Sequence, residues 1–133
     1  MNEKNDWCFA CSPNNPIGLH LEFQEIHDTY QTSFIGKAEH QGYDGILHGG
    51  IISTLLDEVT ARYIYAKGFR ALTARLEIRY RCPTPIGVPL TITGRINRVH
   101  GKMYELIGKI KLADGTVTAE GKSTVIVLKD EEA

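Results

Sequence analysis

"HGGIISTLLDEVTARYIYAK", residues 48–67, decides how the rest of the chain is read. Ile51, Ile52, Leu55, Leu56, Val59 and Tyr63 recur at spacings of three and four. That period puts them on one face of a helix running from His48 to about Lys67. Gly68 follows as a stop signal. Ahead of the helix, Gln41–Leu47 is a loop containing two glycines.

On both sides of the helix the period is two. Upstream, Leu19–Ile26 and Tyr30–Lys37 read as strands, with His27-Asp28-Thr29 as their turn. Downstream, Ala71–Arg81 alternates: Leu72, Ala74, Leu76, Ile78 and Tyr80 fall on one face. Thr73, Arg75, Glu77, Arg79 and Arg81 fall on the other. Three more strands lie near Leu90–Val99, Met103–Leu112 and Val117–Leu128. His100-Gly101-Lys102 and Ala113-Asp114-Gly115 separate them, and Asp-Gly is a strong hairpin signal. Hairpin connections imply an antiparallel sheet. One apolar helix on one sheet is an α+β, two-layer arrangement. Such a sheet has edges to protect, and pairing two copies edge to edge is one way to do it.

A chain of 133 residues suits one domain with a real core. No apolar run approaches the ~20 residues that span a bilayer. Met1–Trp7 is polar and lacks the layout of a signal peptide. The formal net charge of -1 suggests neither a nucleic-acid nor a membrane surface. Three cysteines make no disulfide framework, so a cytoplasmic, reducing compartment is expected.

Two features of the helix carry chemistry. Gly49 and Gly50 sit in its first turn, where backbone N–H groups have no helical acceptor. Glycine permits close approach, and the helix dipole favours an oxygen that gains negative charge. Asp57, nine residues after His48, interrupts an apolar stretch, where an unpaired carboxylate is costly and its pKa is expected to rise. Glu58 reads as a solvated helix edge. Nine residues separate His48 and Asp57 by roughly 13–14 Å along the axis and about half a turn around it. One helix therefore cannot close both features on one small substrate. Two antiparallel copies can, so the spacing predicts a site shared between subunits.

At this point the residues resemble a known family. "GILHGGIISTLLDE", residues 45–58, resembles the motif of the hotdog-fold acyl-CoA thioesterases of the phenylacetate-pathway (PaaI) type. "LTARLEIRYRCPTPIG", residues 72–87, is similar to that family's strand after the helix. "DGTVTAEGKSTVIVL", residues 114–128, is similar to its closing strand pair. The resemblance implies an antiparallel sheet wrapped around one central helix, in homodimers that often pair again. It implies one hotdog domain over residues 19–133 behind an irregular N-terminal cover, residues 1–18. It implies hydrolysis of an acyl-CoA to a free acid and CoA, with CoA as part of the substrate and no cofactor. Asp57 matches the catalytic general base or nucleophile. Gly49 matches the residue whose N–H polarises the thioester carbonyl, with Gly50 beside it in contact with substrate. His48 matches the histidine that orders the helix start, and Thr73 falls near the attacking water. Many relatives carry Asn or Gln six residues before the histidine. Here that position is Gly42, which leaves Gln41 to supply the amide and Asp44 as a weaker candidate. A non-catalytic acyl-CoA-binding module and an acyl dehydratase are the alternative readings.

Two motifs stand outside this assignment. Cys8 and Cys11 form a Cys-x-x-Cys pair near His20. One such pair supplies two of the four ligands of a structural zinc, so packing is expected there and no metal. Arg75, Arg79 and Arg81 share a strand face that fits either CoA phosphates or a solvated surface paired with acids.

Overall fold

The computed structural model describes residues 7–128. One long helix, α1 (Gly49–Ala66), lies on a single six-stranded antiparallel sheet. Its strands are β1 (Gln24–Ile26), β2 (Thr29–Ile35), β3 (Ala71–Tyr80), β4 (Pro89–His100), β5 (Met103–Lys111) and β6 (Val117–Val127). Their spatial order is β1-β2-β4-β5-β6-β3, which leaves β3 as an edge strand. This is the expected α+β hotdog architecture. The ends of the expected divisions, residues 1–6 and 129–133, lie outside the described residues.

The helix buries Ile52, Leu55, Leu56, Val59, Thr60, Tyr63 and Ile64, a continuous i, i+3, i+4 stripe. Thr60 is tolerated in that stripe because its hydroxyl donates to Leu56 O at 2.9 Å. The helix ends at the expected glycine: Gly68 has φ +100° and donates to Tyr65 O. Beneath the helix three glycines stand in register, Gly94 against Gly108 and Gly108 against Gly121. They form a shallow trough across β4, β5 and β6. A Cβ on Gly94 would come inside 3.0 Å of the Val59 carbonyl oxygen. The helix backbone thus rests directly on the sheet backbone, which only glycine permits.

Two strand expectations need correction. Leu19–Phe23 does not join the sheet. Leu19 and Leu21 are buried, but their N–H groups donate to Phe9 O at 2.8 Å and Ala10 O at 2.9 Å. That stretch pairs with the N-terminal segment, leaving a three-residue β1 that turns into β2 through His27 and Asp28, both at positive φ.

The second correction concerns β3, whose alternation is not clean. Thr73 pairs with Val125 and Arg75 with Thr124, so Ala74 is an extra residue in a bulge. The bulge shifts the pleat by one. Thr73 now turns toward the helix together with Leu76, Ile78 and Tyr80, while Leu72 turns outward and is 60% exposed.

Substituting Gly94→Ala sets a side chain against helix backbone that has no room to move. The substitution is expected to cost about 3 kcal/mol by overpacking. Gly121→Ala, whose Cβ would meet its neighbours at 3.5 Å or more, serves as the mild comparison. Urea unfolding of both variants checks the difference; equal midpoints would remove the trough from the account.

Candidate active site

The helix start is built by its loop. Leu47 N donates to Thr84 O at 2.8 Å and His48 N to His40 O at 2.8 Å, which fixes where α1 begins. His48 is the N-cap: its Nδ1 accepts the Gly50 N–H at 2.8 Å. Gly50 suits this cap, because a Cβ there would lie 3.1 Å from that nitrogen and crowd the ring. The Gly50 donor is therefore taken, whereas the Gly49 N–H has no acceptor among the described residues. Of the two glycines, Gly49 is the one with a free donor at the positive end of the helix. Its carbonyl is held from the other side by Tyr80 Oη at 3.2 Å and Ser53 Oγ at 3.1 Å.

Gln41 lies in the loop ahead of the helix. Its Oε1 accepts the Gly45 N–H at 2.6 Å and its Nε2 donates to Ala38 O at 3.1 Å. Both ends of the amide thus brace the loop. Gly42 packs against His48, and Asp44 is exposed at the loop tip.

Eight residues on from Gly49, Asp57 is half-buried and accepts a 2.7 Å hydrogen bond from the Thr73 hydroxyl. The β3 bulge makes this contact possible by turning Thr73 inward. Gly49 and Asp57 are about 80° apart around the helix and roughly 12 Å apart along it. Both therefore abut β3, Gly49 near its Tyr80 end and Asp57 at its Thr73 end. The axial gap expected from spacing stands.

The two adjacent carboxylates have different surroundings. Glu58 turns toward Cys8, Cys11 and Arg62, and burial pushes it up to about 7; the Asp57 charge adds to the rise and Arg62 opposes it. Sequence reading placed a solvated edge at Glu58. The structure covers that carboxyl instead, because the N-terminal segment packs over its side of the helix. Cys11 is likewise pushed up to about 12, first by burial and then by its hydrogen bond with Cys8. Both thiols are free, and the ligand atoms of Cys8, Cys11 and Glu58 lie within 4.8 Å of one another. His20 is elsewhere, its Nε2 at 2.6 Å from Asn15 O.

Arg75 and Arg79 lie on the outer face of β3, and Arg81 follows just past its end. Arg75 pairs with Glu77 at 3.8 Å and Arg81 with Glu120 at 3.0 Å, so the row reads as a solvated, mixed-charge surface. A hollow of about 400 Å³ on that face is lined by Glu77, Arg79, Glu120 and Lys122, away from Asp57. Sequence reasoning missed Ser53 and Tyr80. Ser53 carries a weak signal, standing one helical turn from both Gly49 and Asp57.

Residues 44–124 match the family model described as the thioesterase superfamily. The mouse (Mus musculus) protein acyl-coenzyme A thioesterase THEM4 is 29% identical over 120 residues, covering 86% of this chain and 52% of that protein. The chain thus spans about half the length of the curated relatives it matches. The thioesterase superfamily protein RHA08564 superposes with a TM-score of 0.83 at 30% identity, covering 88% of this chain and 61% of that one. A hypothetical thioesterase protein with coenzyme A from Streptococcus pneumoniae TIGR4 shares the fold, with a TM-score of 0.75 at 20% identity; 81% of this chain and 85% of that one are covered.

Removing the His48 cap leaves the Gly50 donor unpaired. His48→Ala is expected to cost about 1 kcal/mol of stability. It should also speed hydrogen exchange at the Gly50 amide, and an unchanged exchange rate would contradict the capping role.

Proposed function

As the chain belongs to the thioesterase superfamily, we propose that it hydrolyses an acyl-CoA thioester to a free acid and CoA at a site shared by two copies. The observation that carries this reading is the arrangement along β3. An acid held by a hydroxyl stands at one end, and an unpaired helix-start N–H stands at the other. Both lie at the free edge of the sheet.

That edge suits a two-fold partner. Antiparallel pairing of β3 with its own copy, centred on Glu77, sets Leu76 opposite Ile78 and the Thr73–Ala74 bulge of each chain opposite Tyr80 of the other. Asp57 of one copy then faces Gly49 of the second. The roughly 12 Å that separates them within one helix no longer matters. Closed two-fold symmetry produces two equivalent sites.

In this site the thioester carbonyl oxygen accepts the Gly49 N–H, and the helix dipole stabilises the negative charge it gains. His48 and Tyr80 act behind it by fixing the position of Gly49. The hydrogen bond from Thr73 to Oδ1 orients the Asp57 carboxylate and leaves Oδ2 for water. Asp57 takes a proton from that water as its oxygen bonds to the carbonyl carbon. The tetrahedral intermediate collapses, the C–S bond breaks, and the proton passes from Asp57 to the departing thiolate. Direct attack by Asp57 is the other route to the same products; it forms a mixed anhydride that water then opens. CoA enters as part of the substrate, consistent with the coenzyme A of the Streptococcus pneumoniae structure. Gln41 is assigned to holding the loop.

Asp57→Asn keeps the size and the Thr73 contact but removes the base. Free-thiol release from a panel of acyl-CoAs is expected to fall by roughly 10²–10⁴-fold in a protein that still folds. Thr73→Val should lower it less, by about tenfold, since one hydrogen bond of about 1.4 kcal/mol is lost. Wild-type turnover in Asp57→Asn would overturn the assignment. Binding of CoA esters without thiol release by the wild-type chain would favour the non-catalytic module.

A further inference from the structure

The Cys-x-x-Cys motif has no role in that reaction, yet it is built into the molecule with care. Segment 7–21 has no regular secondary structure but is held by backbone pairing. Ser12 N donates to Cys8 O at 3.0 Å, Leu19 N to Phe9 O at 2.8 Å and Leu21 N to Ala10 O at 2.9 Å. Asn15 Nδ2 closes the turn on Trp7 O at 3.0 Å. Ala10, between the cysteines, is buried, and Cys8 packs on the core. These constraints aim both sulfurs at α1, where Glu58 meets them.

The geometry points to a site for one soft divalent cation of the zinc type, held by Cys8 Sγ, Cys11 Sγ and the Glu58 carboxylate. The three ligand atoms lie within 4.8 Å of one another. Tetrahedral zinc with bonds of about 2.3 Å to sulfur spaces its ligands a little under 4 Å, so small side-chain rotations seat it. The donor set is thiolate-rich, which selects a soft cation over magnesium or calcium. Three protein ligands leave the fourth position to water.

Charge supports the same assignment. Two thiolates and one carboxylate carry three negative charges. The cation supplies two positive charges and Arg62 the third, giving a neutral cluster in a half-buried place. Arg62 is near enough for its charge to act on both Cys11 and Glu58. Its Nε is buried without a hydrogen-bond partner among the described residues, and its guanidinium lies 5.6 Å over the Phe23 ring. Charged donors close to the ligands are common around metal sites. As the cation binds, the two thiols lose their protons to water. The bound ion fastens segment 7–21 to the helix one residue from Asp57. This inference does not depend on the proposed hydrolysis.

The test uses the full chain, reduced and freed of metal with a chelator. Co²⁺ is the spectroscopic probe and Zn²⁺ the competitor. One equivalent of Co²⁺ is expected to produce a thiolate-to-cobalt charge-transfer band with the intensity of two thiolates, abolished by Zn²⁺. Cys8→Ser and Cys11→Ser should weaken binding by on the order of 100-fold or more, and Glu58→Gln by roughly tenfold or more. Cys82→Ser, at an exposed cysteine, should change nothing. The wild-type spectrum alone counts the thiolates, so it decides the matter even where a variant fails to fold. A reduced wild-type chain with no such band overturns the site. So does a band lost in Cys82→Ser, unchanged affinity in Glu58→Gln, or a Cys8–Cys11 disulfide that persists under reductant.

Discussion

The helix backbone at Val59 rests on the sheet backbone at Gly94, and the rest of the molecule is arranged around that contact. Side-chain packing alone would hold a helix about 10 Å above a sheet. The register of Gly94, Gly108 and Gly121 lets it sink closer. Once seated, α1 cannot roll, because its buried stripe from Ile52 to Ile64 fills the space on both sides of the trough. Its two flanks are then committed. One carries Gly49, Ser53 and Asp57 along the edge strand β3, and the other carries Glu58 and Arg62 under the N-terminal segment.

This rigid seat explains how neighbouring carboxylates acquire separate properties. Asp57 meets a hydroxyl at the rim of the domain, and Glu58 meets sulfur and a covered arginine. One step along a helix is about 100°, enough to move a side chain from one neighbour to another. The single extra residue at Ala74 has an equal effect on β3. Without the bulge Thr73 would face outward with Arg75, and Asp57 would lack its partner.

Much of this was legible in the sequence. The helix, its glycine stop and the four downstream strands follow from periodicity and turn residues, because those signals are local. What failed was not local. Leu19–Phe23 alternates like a strand, yet its hydrogen bonds go to Phe9 and Ala10. The β3 bulge leaves no mark in a run that alternates cleanly on paper. The glycine trough is three unremarkable glycines until the register aligns them. At the site, spacing alone separated the helix start from Asp57. Family resemblance put Thr73 near the attacking water but not on the Asp57 carboxylate, and the covering of Glu58 depended on a loop nearly fifty residues away in sequence.

The central claim is that the glycine end of one copy works with Asp57 of another. It is tested most directly by mixing two inactive variants. Asp57→Asn removes the base. Gly49→Pro removes the N–H at the first helical position, where proline is tolerated and His48 already has the extended backbone that proline requires. After unfolding and refolding together, half of the dimers should be mixed, each with one intact site, so about a quarter of wild-type thioester hydrolysis should return. Recovery no greater than the sum of the two variants alone would place both groups in the same chain and contradict the account.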